Sequence, residues 1–203
     1  MQIEAMIRAV QGALGVTVDG RAGPQTWSAI YRNLVDAEKP ADIALTETVD
    51  HTNARSEAVI ATLLPQVQPY ARALYFKARD HGITINIISG LRTYAEQNAL
   101  YAKGRTAGGK KITNARGGYS NHNFGIAFDI GVFEGDRYLP SSSQYKAVGA
   151  LGQELGLEWG GNWKTFVDQP HFQLRPRWSE QMSERNLLAE LRERNGRGDN
   201  AFA

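Results

Sequence analysis

The sequence predicts an α+β domain, a small antiparallel sheet flanked by helices, with a small helical segment in front of it. Two observations carry this. Helical patterns at 54–64, 66–81 and 143–156 are mixed with short β-type runs at 83–89, 125–132 and 172–174. A turn at Glu134-Gly-Asp-Arg137 joins one of those runs to Tyr138-Leu139, which is a hairpin signal. With 203 residues the chain can hold one domain with a proper core and a small accessory one.

Residues 1–36 read as two short helices around a turn. Ile3, Ile7, Val10 and Leu14 have helical spacing, and Asp19-Gly20 and Gly23-Pro24 then punctuate. Pro24 suits the first turn of a second helix bearing Trp27, Ile30, Tyr31 and Leu34. Gln11, Leu14, Asp19, Gly20, Gly23, Pro24, Thr26 and Trp27 make this stretch resemble the small three-helix peptidoglycan-binding domain. That resemblance implies wall binding through Asp19, Gly20 and Trp27. The competing reading is a helical hairpin that packs on the main domain, because the motif is mostly turn grammar.

Residues 37–53 are polar and read as a linker, and the main domain is expected at 54–178. Its first two helical patterns are separated by Pro65, and the second is closed by Gly82, with Pro69 in its first turn. Ile83–Ser89 alternates and is β-branched, so it reads as a strand. Thr93-Tyr-Ala-Glu96 is a capping box that starts a helix running to about Lys103. A Gly- and Lys-rich loop covers 104–121, and strand Gly125–Val132 follows. The helix at 143–156 ends at Gly156, and Phe172-Gln-Leu174 is a last short strand. Residues 179–203 are expected to form a docking helix with Met182, Leu187, Leu188 and Leu191, fraying from Gly196 onward.

Composition narrows the function. The chain has no cysteine, which removes thiolate metal sites, disulfides and thiol nucleophiles. A net charge of +2 makes no case for nucleic-acid binding, yet it would not repel an anionic polymer. No basic n-region precedes an apolar run at the start, and no run reaches membrane-spanning length. The expectation is synthesis in the cytoplasm without a signal peptide and without a transmembrane segment.

The chemistry concentrates in Ser120-Asn-His122-Asn-Phe-Gly-Ile-Ala-Phe-Asp129 and Asp168-Gln-Pro-His171. Two imidazoles and one carboxylate are a sufficient protein ligand set for a catalytic zinc, which leaves a fourth position open. Asp168, three residues before His171, is then a candidate to work on water at that position. Strand alternation places Ile126, Phe128 and Ile130 on one side and Ala127, Asp129 and Gly131 on the other. Small neighbours on the Asp129 side leave room for a metal and a substrate, and Pro170 fixes the backbone before His171. A lone His and Asp are more often a surface or core hydrogen-bonded pair, so the weight rests on the whole string and its later partner.

Three blocks fall in one order: Ser89-Gly-Leu-Arg92-Thr-Tyr-Ala-Glu-Gln97, then Ser120 to Asp129, then Trp159-Gly-Gly with Asp168-x-Pro-His171-Phe. On these residues the chain from about 54 to 176 resembles the M15 family of zinc D,D-/L,D-peptidases, and within it the L-alanyl-D-glutamate endopeptidases. The resemblance implies the D,D-peptidase-like fold and one zinc ion held by His122, Asp129 and His171. It implies that Asp168 is the catalytic acid–base and that Arg92 binds the substrate carbonyl and the oxyanion. Gln97 and Tyr94 would touch substrate or pack in the core, and Ser120 would bond near the ligands. The implied substrate is the peptidoglycan stem peptide, cut between L-Ala and D-Glu by a monomeric, phage-type endolysin released through a holin. The alternatives are a D-Ala-D-Ala carboxypeptidase and a non-catalytic, zinc-bearing wall-binding module.

Other residues point less sharply. Lys103, Arg105, Lys110, Lys111 and Arg116 cluster near the loop before His122 and could attract stem-peptide carboxylates, or simply be solvated. Gly108-Gly-Lys-Lys lacks the spacing of a phosphate-binding loop. His51 and His81 are set aside, and Trp159, Trp163 and Phe166 are expected to wall the cleft or the core.

Overall fold

The computed structural model describes residues 3–22, 26 and 52–202. The chain divides into two compact units, Met1–Thr46 and Glu47–Ala203. Gly23, Pro24, Trp27, the expected second helix, His51 and most of the linker lie outside the described residues.

In the first unit, helix α1 (Ile3–Ala13) carries one buried residue, and it is polar. Gln11 is 1% exposed. Its Nε2 donates to Asp19 Oδ1 at 2.7 Å, to the Arg21 carbonyl at 3.0 Å and to Thr26 Oγ1 at 2.9 Å. Its Oε1 accepts from Gly20 N at 2.8 Å. Asp19 also accepts from Arg21 N, which closes the turn on itself.

The second unit builds its sheet from the middle outward. Strand β1 (Thr84–Ser89) follows helices α2 (Ala54–Ile60) and α3 (Gln68–Asp80), and helix α4 (Tyr94–Ala102) comes next. Strands β2 (Ala127–Glu134) and β3 (Arg137–Leu139) form the expected hairpin. Helix α5 (Gln144–Glu154), strands β4 (Glu158–Trp159) and β5 (His171–Gln173) and helix α6 (Glu184–Arg197) complete it. The order is β1-β2-β5-β4, all antiparallel, with β3 also paired to β2. Asp129 lies opposite Ser89 on one edge of β2 and opposite His171 on the other, so the candidate ligands meet on the central strand.

Phe128, Ile130 and Val132 of β2 join Ile85 and Ile87 of β1, Leu74 of α3 and Val148 of α5 in the main core. Their alternation follows from the two-residue period of a strand that covers helices with one face. The capping box at Thr93 and Glu96 is present in full.

Four details depart from expectation. Helix α2 stops at Ile60, because Leu64 N turns to donate to the Gly125 carbonyl at 3.0 Å just before Pro65. Ile126 lies one residue ahead of β2 and packs with Phe124, Leu187, Leu188 and Leu191, away from the Phe128 cluster. Strand β4 was not anticipated, since two residues carry no periodicity. The tail from Gly196 does not fray: Gly198 takes a left-handed φ of 78° after α6. Trp178 Nε1 then donates to the Ala201 carbonyl at 2.9 Å, and Phe202 packs against both clusters.

Candidate metal centre

His122 rides a 3₁₀ turn, Asn121–Phe124, that leads into β2. Gly125 ends this turn with a φ of 67°, a conformation that a side chain would strain. Asp129 sits mid-strand in β2 and His171 opens β5 directly opposite. Among the described residues these three form a group whose potential ligand atoms all lie within 4.8 Å of one another. Asp129 Oδ1 is 3.2 Å from His122 Nε2 and 3.2 Å from His171 Nδ1. The two rings are 5.1 Å apart at their centres, with 72° between their planes.

The outer nitrogens are both taken. His122 Nδ1 lies 2.8 Å from the Gly90 carbonyl, and His171 Nε2 lies 3.0 Å from Gln173 Oε1. Each imidazole therefore places its proton outward and its lone pair toward Asp129. Burial opposes the Asp129 charge, but when protonated on both nitrogens the His122 and His171 rings beside it, by charge and hydrogen bond, hold its carboxyl well below the usual carboxylate range. An anion flanked by two imidazole nitrogens suits a divalent cation, which would displace the inner ring protons, and this N,N,O set leaving a free position is one that zinc takes.

Asp168 stands on the loop before β5. Its N donates to the Gly160 carbonyl at 3.0 Å, and its carbonyl accepts from His171 N at 3.2 Å. Gly160 is required here: a Cβ on it would lie 2.6 Å from the Asp168 carbonyl and 3.0 Å from His171 Cβ. Burial and the neighbouring Asp129 charge raise the Asp168 carboxyl above its ordinary value, against the pull of His171, His122 and Arg92. The Trp159 indole braces this loop, donating to the Gln169 carbonyl at 2.8 Å.

Arg92 projects from the end of β1, as expected. Nη2 donates to Ser89 Oγ at 2.9 Å and Nη1 to Gln97 Oε1 at 2.8 Å, which leaves the guanidinium 3.8 Å from Asp129 Oδ2. Its backbone N donates to the His122 carbonyl at 3.0 Å, and Asn123 Nδ2 donates to its carbonyl at 2.7 Å. Arg92, His122, Asp129, Asp168 and His171 all face one cleft of about 930 Å³.

The remaining expected residues divide. Ser120 lines the cleft. Gln97 is wholly buried and braces Arg92 while its Nε2 donates to the Ala115 carbonyl at 2.8 Å. Tyr94 packs edge-on against Phe124 and beside Gly118, and stays 38% exposed. Asp19 and Gly20 are engaged by Gln11 in the first unit. Trp163 and Phe166 do wall the cleft. Of the basic cluster, Arg105 lies 3.8 Å over the Tyr101 ring and donates to the Thr113 carbonyl, so it staples its own loop. Sequence reasoning missed Gln173, Asn121, Asn123 and the Gly90 carbonyl, all of which hold functional groups in place.

Two outward-protonated histidines, an aspartate between them and a raised carboxylic acid on the same cleft define a metallohydrolase arrangement. A family profile described as D-alanyl-D-alanine carboxypeptidase matches residues 113–174. The chain is 38% identical over 128 residues to the peptidoglycan L-alanyl-D-glutamate endopeptidase CwlK of Bacillus subtilis strain 168, covering 58% of this chain and 77% of that protein. It is 31% identical over 123 residues to the L-alanyl-D-glutamate peptidase of Listeria phage A118, covering 59% of this chain and 41% of that one. The solved structure of the L-Ala D-Glu endopeptidase ChiX of Serratia marcescens is 25% identical, with a TM-score of 0.47 over 64% of this chain and 95% of that one. The chain belongs to the M15 peptidase family.

Proposed function

We propose that this chain is a zinc-dependent peptidoglycan peptidase that cuts the stem peptide between L-Ala and D-Glu. The observation that carries the reading is the convergence of His122, Asp129 and His171 on one point beside Asp168 and Arg92. The scissile bond follows the activity of CwlK and of the phage peptidase.

His122 Nε2, Asp129 Oδ1 and His171 Nδ1 would hold the zinc ion. When bound, zinc polarises a peptide carbonyl and makes water a competent nucleophile near neutral pH. Asp168 takes the proton from the attacking water and returns it to the leaving amine; its raised carboxyl is a stronger base than an ordinary aspartate. The Arg92 guanidinium, fixed by Ser89 and Gln97, donates to the carbonyl oxygen as negative charge develops on it. Lys110 and Lys111, on the loop before His122, would attract stem-peptide carboxylates. The first unit would add wall affinity, and delivery to the wall would rely on a release route such as a holin. The enzyme would act as a monomer.

Digestion of purified muropeptides, with and without a chelator and then with zinc restored, tests this. Zinc-dependent appearance of N-terminal D-Glu is expected. Free D-Ala without new N-terminal D-Glu would mean a D,D-carboxypeptidase, and zinc binding without any cleavage would mean a wall-binding module.

A further inference from the structure

His171 is held differently from His122. Where His122 leans on a backbone carbonyl, His171 Nε2 meets a side-chain amide that could in principle point either way. If Gln173 turned its NH₂ toward His171, the ring would have to accept at Nε2 and carry its proton on Nδ1, facing Asp129 and the metal position. Something must forbid that arrangement.

The surrounding groups do. Gln173 Nε2 lies 3.0 Å from Glu158 Oε2, and a carboxylate can only accept, so the NH₂ must face it. Asn121 Nδ2 donates to Gln173 Oε1 at 2.6 Å. Asn121 is oriented in turn by Glu184 Oε1, a second acceptor-only group. Arg175 Nη1 ties the two ends together, 3.1 Å from Glu158 Oε2 and 3.4 Å from Glu184 Oε2. Flipping either amide would set oxygen against a carboxylate oxygen. Gln173 is wholly buried and Asn121 is 4% exposed, so water cannot readily stand in. Asn121 Oδ1 has no hydrogen-bond partner in this arrangement, as though its NH₂ contacts decide the orientation at that oxygen's expense.

We propose that Gln173 is a positioning residue: directed by Glu158, Asn121, Glu184 and Arg175, it fixes His171 as the Nε2–H tautomer and presents Nδ1 to zinc. The inference rests on the metal reading above. Its test measures zinc affinity of the full chain by competition with a chromophoric chelator. Gln173→Leu should weaken zinc binding about 10–100-fold, read on protein shown by circular dichroism to be folded at the assay temperature, since the change also strands Asn121 and Glu158. Long-range ¹H–¹⁵N correlation on the zinc-loaded wild type should show His171 protonated at Nε2.

Gln173→Leu affinity within about threefold of wild type would overturn the proposal, as would a His171 proton on Nδ1. A wild-type chain that binds no zinc would bring down the metal reading itself, whereas equal affinity in wild type and variant brings down only this inference.

Discussion

The turn around Gln11 and the cleft around Asp129 both rest on short polar motifs, yet the two motifs behave oppositely. Around Gln11 every donor meets an acceptor: Asp19, Gly20, Arg21 and Thr26 are bound to one buried amide. Around Asp129 the lone pairs of two histidines and a carboxylate point at one another, 3.2 Å apart, with both imidazole protons turned outward. Groups that saturate one another make a fold. Groups whose lone pairs converge await a cation. On this distinction Asp19 and Gly20 are held in their turn by Gln11.

The comparison breaks most sharply at Asp129. Asp129→Ala should weaken zinc binding by about 10²–10³, taking structural zinc sites at about 10–16 kcal/mol shared over four ligands. Muropeptide hydrolysis should fall to background with it. Chelator competition and product analysis on the same sample check both; an active Asp129→Ala protein would remove the metal centre from the mechanism.

Asp168→Asn separates proton transfer from metal binding. It should lower hydrolysis by about 10²–10⁴-fold and leave zinc affinity near that of wild type. If hydrolysis survives, Asp168 is only a loop residue that caps the approach to β5.

Gln11→Ala belongs to the saturated side. It strands buried partners, so the first unit should lose about 1–3 kcal/mol of local stability, read by amide exchange at Gly20 and Arg21. Hydrolysis of soluble muropeptides should not change, because these residues hold only one another.

What was legible in the sequence follows the same division by distance along the chain. The Thr93–Glu96 capping box and the Glu134–Arg137 hairpin are local, and local turn chemistry exposes them. The ligand set was legible because few residue types bind zinc and because glycine and proline mark their approaches. Gln173 was not, since its partners lie 15 and 52 residues away and only the pairing of β5 between β2 and β4 brings them in. Strand β4 is too short to show a period, and the docking of Phe202 depends on a reversal at Gly198 that no polar tail announces.

A last saturated group sets the smallest effect and gives it a pH signature. Glu57, in the first turn of α2, takes a fork from Arg72, with Nη2 to Oε2 at 2.8 Å, and bonds from the backbone and hydroxyl of Thr52. The Arg72 bond leads the causes, and it outweighs burial to bring the Glu57 carboxyl from its ordinary 4.5 to about 2. Between those values the unfolded chain binds a proton that the folded one refuses. The stabilisation is therefore complete above pH 4.5 and is lost as pH falls toward 2. Discounted for solvent screening it amounts to about 1–2 kcal/mol. Glu57→Gln should destabilise the second unit by that amount at pH 7, and the gap to wild type should close on acidification in parallel urea titrations. Because Glu57 belongs with Gln11 and not with Asp129, zinc affinity should stay level at pH 7 while stability falls. A matched loss of zinc would mean that α2 and the metal centre are one cooperative element, and the distinction between saturated and converging groups would fail there.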